Sequence, residues 1–261
     1  MPVAADGLNL FAPGLLQDRR LLITGASSGV GAATARLCAG LGARLVLVGR
    51  DRQRLEATLA GLAGQGHLLQ PADLGVADAL HDLIRSLPPE WRPLDGAFHG
   101  AGLERLRPAR LSRRADLDGL MAVTTGAALA LGRAAAARDL VAPGSALVLM
   151  GSVAARCGSP GLAAYSAAHG ATEALARSLA TELAPRSITV NVLLAGAVDT
   201  PMHRRICGAL SAEGVEDYRR RHPLGFGSAD DIAAMAAFLL SPGGRWITGS
   251  AIVIDGGYSA S

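Results

Sequence analysis

Seven short apolar runs recur along this chain with room for a helix between successive runs, and that alternation restricts the fold more than any other feature. The runs are RLLIT ending at Thr24, ARLVLV ending at Val48, GHLLQP around Leu69, LDGAFH ending at His99, SALVLM ending at Met150, a run ending at Leu194, and SAIVID ending at Asp255. A strand that is apolar on both sides has no face to offer water, so a sheet built from such strands is parallel and covered by helices on both surfaces. The expected architecture is α/β, a doubly wound parallel sheet of about seven strands with helices on both faces. No repeat, low-complexity tract or Pro/Ser-rich linker divides the chain, so residues 1–18 read as an N-terminal extension and residues 19–261 as one unit. The longest stretch without strand character, about 196–227, has the length of a lid or binding loop.

Composition narrows the classes of function. Half of the residues are apolar, which excludes a disordered polymer, and no uninterrupted apolar run approaches the roughly 20 residues of a membrane span. The first 20 residues lack the basic start, apolar core and cleavage site of a signal peptide. Three cysteines, Cys38, Cys157 and Cys207, are odd in number and widely spaced, which suits a reducing, cytoplasmic setting. All 25 basic residues are arginines, so lysine chemistry is excluded at every position. With 3% aromatics and no nucleic-acid motif, the short Arg clusters read as solvated surface, and neither nucleic acid nor membrane is an expected partner.

The first strand runs into Thr24-Gly25-Ala26-Ser27-Ser28-Gly29-Val30-Gly31 and then into a helix. Glycines there allow a tight turn and close backbone approach, so that a pyrophosphate can lie against unpaired amides at the helix N-terminus. Just beyond the second strand, where an acidic residue would bind a free ribose 2′-hydroxyl, stand Gly49, Arg50 and Arg52. Guanidinium groups suit a 2′-phosphate, so NADP(H) is expected over NAD(H), unless Arg50 simply begins a solvated helix. Asp73 fits either an adenine amino group or a helix N-cap before Gly75.

These residues resemble the classical short-chain dehydrogenase/reductase family over nearly the whole chain. TGASSGVG is similar to the family's cofactor turn, Asp73-Leu74 to its adenine contact, and Gly100-Ala101-Gly102 to the latter part of its Asn-Asn-Ala-Gly motif. Ser152 and Tyr165, 13 positions apart, resemble its catalytic serine and tyrosine. Asn191, the stretch with Gly196, Val198 and Thr200, and Asp255-Gly256-Gly257 resemble its C-terminal landmarks. The resemblance implies a Rossmann fold, a nicotinamide cofactor, and a dimer or tetramer joined through the helix after Tyr165 and the last strand.

The resemblance also implies a lysine four residues after Tyr165 to bind the nicotinamide ribose and acidify the tyrosine, and an asparagine to complete a proton relay. Here those positions hold His169 and Thr124, and His99-Gly100 stands where the motif has two asparagines. His169 lies on the helix face of Tyr165 and can reach the ribose, but a neutral imidazole lowers the Tyr165 pKa less than an ammonium does. With Tyr165 near about 10, roughly one molecule in a thousand is tyrosinate at pH 7. Reduction needs only the protonated phenol, so the expected activity is reduction of a carbonyl on a small-molecule or acyl substrate, with Ser152 holding the oxygen and Thr124 a relay water. The alternative is a catalytically weak or non-redox homologue that binds nucleotide in a regulatory or scaffolding role. No cluster of Cys, His and carboxylates with ligand spacing accompanies His99 and His169, so no metal site is expected. In the 196–227 stretch, Arg and His mix with Ile206, Leu210 and Tyr218; this suits an anionic or carrier-linked acyl substrate, while a solvated amphipathic helix pair is the plainer reading. Cys157 reads as a small apolar filler of the pocket.

Overall fold

The computed structural model describes residues 10–260; the remainder of the expected N-terminal extension, residues 1–9, lies outside the described residues, as does Ser261. Seven parallel strands form one sheet in the order β3-β2-β1-β4-β5-β6-β7. They are β1 (Arg20–Thr24), β2 (Arg44–Gly49), β3 (Leu68–Pro71), β4 (Leu94–His99), β5 (Val141–Ser152), β6 (Thr189–Ala195) and β7 (Ala251–Ile254). The strand order reverses between β1 and β4, the position where such sheets open a ligand crevice at their carboxyl ends.

Successive side chains of a strand point to opposite faces, and both faces here are dry. Leu22, Val46, Val48, Leu147 and Val190 enter one apolar layer, while Leu21, Ile23, Leu45, Leu47 and Val148 enter the other. The first layer is completed by α3 (Ala79–Ser86), α5 (Ala127–Ala136) and α6 (Ala163–Leu183), and the second by α1 (Gly29–Gly40), α2 (Arg52–Ala60) and α9 (Ala229–Leu240). Leu16, from the described part of the extension, is fully buried in the second layer and donates its backbone N–H to the Leu41 carbonyl.

The helix α4 (Arg114–Met121) continues through a π turn (Ala122–Gly126) into α5. This 23-residue span, Arg114–Ala136, is long and apolar enough to cross a membrane by composition. Its apolar face is occupied within the fold, with Leu120, Val123, Ala127, Leu131 and Ala134 buried.

Between β6 and α9 the chain makes its long excursion through α7 (Pro201–Gly208) and α8 (Ala212–Arg220). The excursion is closed at its base. Val198 bridges Gly227, the Asp199 N–H donates to the Gly227 carbonyl, and the Gly227 N–H donates to the Ala197 carbonyl.

Candidate active site

A cavity of about 680 Å³ opens at the carboxyl ends of the strands and takes a residue from the end of nearly every one. Gly25, Ser27, Ser28, Gly29, Val30 and Gly31 form one wall. Two of these positions tolerate nothing but glycine. A Cβ on Gly31 would lie 2.2 Å from the Gly25 carbonyl oxygen, and one on Gly25, whose φ is +68°, would lie 2.6 Å from the Gly100 oxygen. The tight turn brings the start of α1 to the cavity, and Ser28 makes no side-chain cap there. By contrast α2, α7, α8 and α9 are each capped by Asp51, Thr200, Ser211 or Ser228. The first amides of α1 are thus left for an outside acceptor, which a phosphate satisfies.

Beyond β2, Arg50 and Arg54 line the cavity. Arg52 does not, and its guanidinium faces Glu56 at 3.8 Å. Arg50 precedes the N-cap of α2 and reaches the cavity from the end of β2, whereas Arg54 reaches it from the first turn of the helix. Asp73 and Leu74 also line the cavity, and the Asp73 carboxylate accepts from the Gly75 N–H at 2.9 Å. Asp73 therefore shapes a turn rather than capping a helix; the N-cap of α3 is Asp78. Gly100, Ala101, Gly102, Gly196, Val198 and Thr200 complete the cavity rim, and the Thr200 hydroxyl accepts the His203 N–H to cap α7.

At the centre stand Ser152, at the end of β5, and Tyr165 and His169, one turn apart on α6. The Ser152 hydroxyl stands beside the Tyr165 phenol and accepts the Ala154 N–H at 3.2 Å. Burial raises the Tyr165 phenol above its ordinary value, the adjacent Ser152 hydroxyl pulls it back in part, and the nearby Glu104 carboxylate raises it further. The phenol thus lies above the value of about 10 expected from sequence, and it is protonated at neutral pH.

The His169 ring packs against Tyr165 with centroids 4.3 Å apart. Burial, reinforced by repulsion from His99, lowers its pKa to about 4, so it is a neutral imidazole at pH 7. His169 is 5% exposed, and its Nδ1 has no hydrogen-bond partner among the described residues. An orphaned buried nitrogen on the wall of this cavity fits a polar group of a bound molecule, as a ribose hydroxyl would be.

Thr124 is not part of this group. Its hydroxyl donates to the Leu120 carbonyl at 2.7 Å, its carbonyl accepts from His99, and it does not line the cavity; its neighbour Val123 does. His99 explains why. The ring is buried between β4 and the π turn, with Nδ1 2.8 Å from the Thr24 hydroxyl and Nε2 3.1 Å from both the Val123 and Thr124 carbonyls. Carbonyls only accept, so Nε2 carries the hydrogen and Nδ1 accepts from Thr24, whose oxygen in turn accepts the Ala101 N–H at 3.1 Å. This network ties the glycine-rich turn, the loop after β4 and the π turn into one unit.

Several lining residues have no counterpart among the sequence expectations. Glu104, two residues after Gly102, forms a bidentate ion pair with Arg205 of α7 at 2.9 and 3.2 Å, joining the two sides of the cleft. Tyr258 lines the cavity three residues after Asp255, and Cys157 lines it as expected. Asn191 lies away from the cavity and staples β6 to the segment before β7, donating to the Ile247 carbonyl and accepting the Ser250 N–H. The excursion is amphipathic as read: His203, Ile206 and Tyr218 face the cavity, while Arg204, Arg219 and Arg220 are exposed.

Comparison with known proteins agrees with this architecture. The sequence model of the family described as "Enoyl-(Acyl carrier protein) reductase" matches residues 25–259. The chain is 30% identical to gluconate 5-dehydrogenase of Gluconobacter oxydans over 94% of this chain and 96% of that protein. A short-chain dehydrogenase/reductase from Serratia marcescens superposes with a TM-score of 0.86 at 30% identity, over 94% of this chain and 99% of the other. A short-chain dehydrogenase from Burkholderia cenocepacia in complex with NADP gives a TM-score of 0.83 at 32% identity, again over 94% and 99%. A glycine-walled, uncapped helix start and a tyrosine beside a serine thus occur in a chain that matches these proteins over 94% of its length: it belongs to the short-chain dehydrogenase/reductase family.

Proposed function

We propose that this protein is an NADP(H)-dependent reductase of a carbonyl on a small-molecule or acyl substrate. The observation that carries the reading is the half-buried, protonated Tyr165 phenol beside Ser152 in the same cavity as the uncapped start of α1. When bound, a reduced nicotinamide supplies a hydride to the carbonyl carbon. Tyr165 gives its phenolic proton to the carbonyl oxygen, and the Ser152 hydroxyl stabilises the negative charge developing there. His169 offers its orphaned Nδ1 to a ribose hydroxyl. Arg50 and Arg54 favour a 2′-phosphate, and Asp51, which caps α2, lies 3.6 Å from the Arg54 guanidinium. Burial makes the tyrosinate costly, so alcohol oxidation, which requires it, is the disfavoured direction near neutral pH. A cytoplasmic location and a homodimer or homotetramer are part of the same proposal, the latter through the α6 face and the β7 edge, where Val253 is exposed.

One observation favours a second reading, a nucleotide-binding homologue with little turnover: no cation stands one turn after Tyr165. Titration with NADPH and NADH, followed by nicotinamide fluorescence and then by addition of ketones and β-ketoacyl thioesters, separates the two. Tighter NADPH binding and substrate-dependent consumption of the signal are expected. Binding without consumption across the panel selects the second reading.

A further inference from the structure

All three tyrosines of this chain, in which only 3% of residues are aromatic, stand on the wall of one cavity. Tyr165 and Tyr258 have hydroxyl neighbours, Ser152 for the first and Ser159 at 3.3 Å for the second. Tyr218, on α8, differs. Its ring is fixed edge-on against His222 at 5.1 Å and tilted against Phe226 at 5.4 Å, yet its hydroxyl has no hydrogen-bond partner among the described residues. Burial pushes this phenol up to about 12, which keeps it a proton donor throughout the working range.

The surroundings limit what can meet it. Leu106, Leu162, Met202, Ile206 and Leu210 line the same cavity. Of the nearby guanidiniums, Arg205 is engaged with Glu104, Arg204 with Asp199, Arg220 with Asp217, and Arg219 over the Phe226 ring, while Arg221 lines the cavity. A phenol donor held by ring contacts in a cavity with many apolar side chains suits an uncharged acceptor, and a carboxylate drawn to Arg221 is the competing outcome that the test includes.

We propose that Tyr218 is a specificity-determining residue whose phenol donates a hydrogen bond to a second, uncharged oxygen of a largely apolar ketone, remote from the carbonyl that meets Tyr165. The proposal rests on the reductase reading for its reacting carbonyl, but its test does not depend on turnover. The probes are 1-tetralone and its ring-substituted hydroxy, methoxy and carboxy derivatives, with affinity read from the fluorescence of bound NADPH and kcat/KM from its consumption. The wild-type protein is expected to prefer the best-placed hydroxy and methoxy derivatives over the parent ketone by about tenfold, the worth of one good buried hydrogen bond. In Tyr218→Phe, which keeps the ring, that ratio falls to near one whatever the absolute affinity. The methoxy compound, which only accepts, makes the wild-type comparison decisive by itself if Y218F folds poorly. An unchanged ratio in Y218F, no preference over the parent, preference for hydroxy but not methoxy, or preference for the carboxylate each overturns the proposal. Discrimination in binding without consumption of NADPH overturns the reductase reading and leaves this one standing.

Discussion

A neutral imidazole one turn after Tyr165 leaves the acidity of the phenol to its surroundings, and those surroundings hold the proton on. In the pH profile, alcohol oxidation is therefore expected to climb about tenfold per pH unit to beyond pH 10, while carbonyl reduction shows no such rise. Replacing His169 by Lys places an ammonium beside the phenol, which favours the phenolate. The oxidation inflection in H169K should move down by about one unit or more, with at least a tenfold gain in oxidation rate near pH 8. An unmoved inflection in steady-state rates taken with saturating NADP+ would sink the idea that this position sets the direction. His99 acts by a different route, through packing and hydrogen bonds. His99→Ala leaves the Thr24 hydroxyl and two π-turn carbonyls without their partner, so a loss of about 2–4 kcal/mol is expected in urea unfolding. His99→Asn, which keeps a donor and an acceptor, should recover part of it.

At the scale of elements, the cofactor end depends on how closely backbone meets backbone. A methyl on Gly31 has no room against the Gly25 carbonyl, so Gly31→Ala must displace the start of α1. NADPH affinity measured by fluorescence should fall at least about a hundredfold, because the amides that receive the pyrophosphate move with the helix. Retained affinity would mean that the phosphate lies elsewhere. The strands that carry these residues were legible because doubly buried strands are written as continuous apolar runs. The first half of β5 was not: Val141 pairs with Leu94 and Ala146 with Gly96, and residues 142–145 between them, including Pro143 and Gly144, the latter at φ +75°, are left out of the register. The π turn has no local signature, since the ring that accepts its arrangement arrives from His99, over 20 residues earlier in the chain. Chemistry carried by fixed spacing, such as Ser152 with Tyr165, survives translation into sequence; contacts such as Glu104 with Arg205, made between distant segments, do not.

Across the whole molecule, four of the described histidines are buried, and burial lowers the pKa of three of them, His99, His169 and His203, so that stability depends on pH in a defined window. His99 and His169 both have folded pKa values of about 4, below the unfolded value near 6.5, because burial penalises their charged forms. Between these values the unfolded chain binds more protons than the folded one, so stability is complete above about pH 6.5 and is lost as pH falls toward 4. The Arg156 hydrogen bond holds the Glu173 carboxyl below its ordinary value, so the contribution of that group persists through this window and fades only at lower pH. His99 and His169 can each contribute a slope approaching about 1.4 kcal/mol per pH unit, and because the two repel one another when charged, they titrate as a pair. With arginine as its only basic side chain besides histidine, the chain has no lysines to release protons at the alkaline end. Urea unfolding at a series of pH values from 7.5 to 4.5 should therefore give a plateau followed by a decline, and His169→Asn should flatten the decline by nearly one proton's worth while leaving the plateau slope unchanged. A decline of equal steepness in wild type and variant would show that His169 is already protonated, or already exposed, in the folded protein, and would remove the basis for treating it as a neutral ribose ligand.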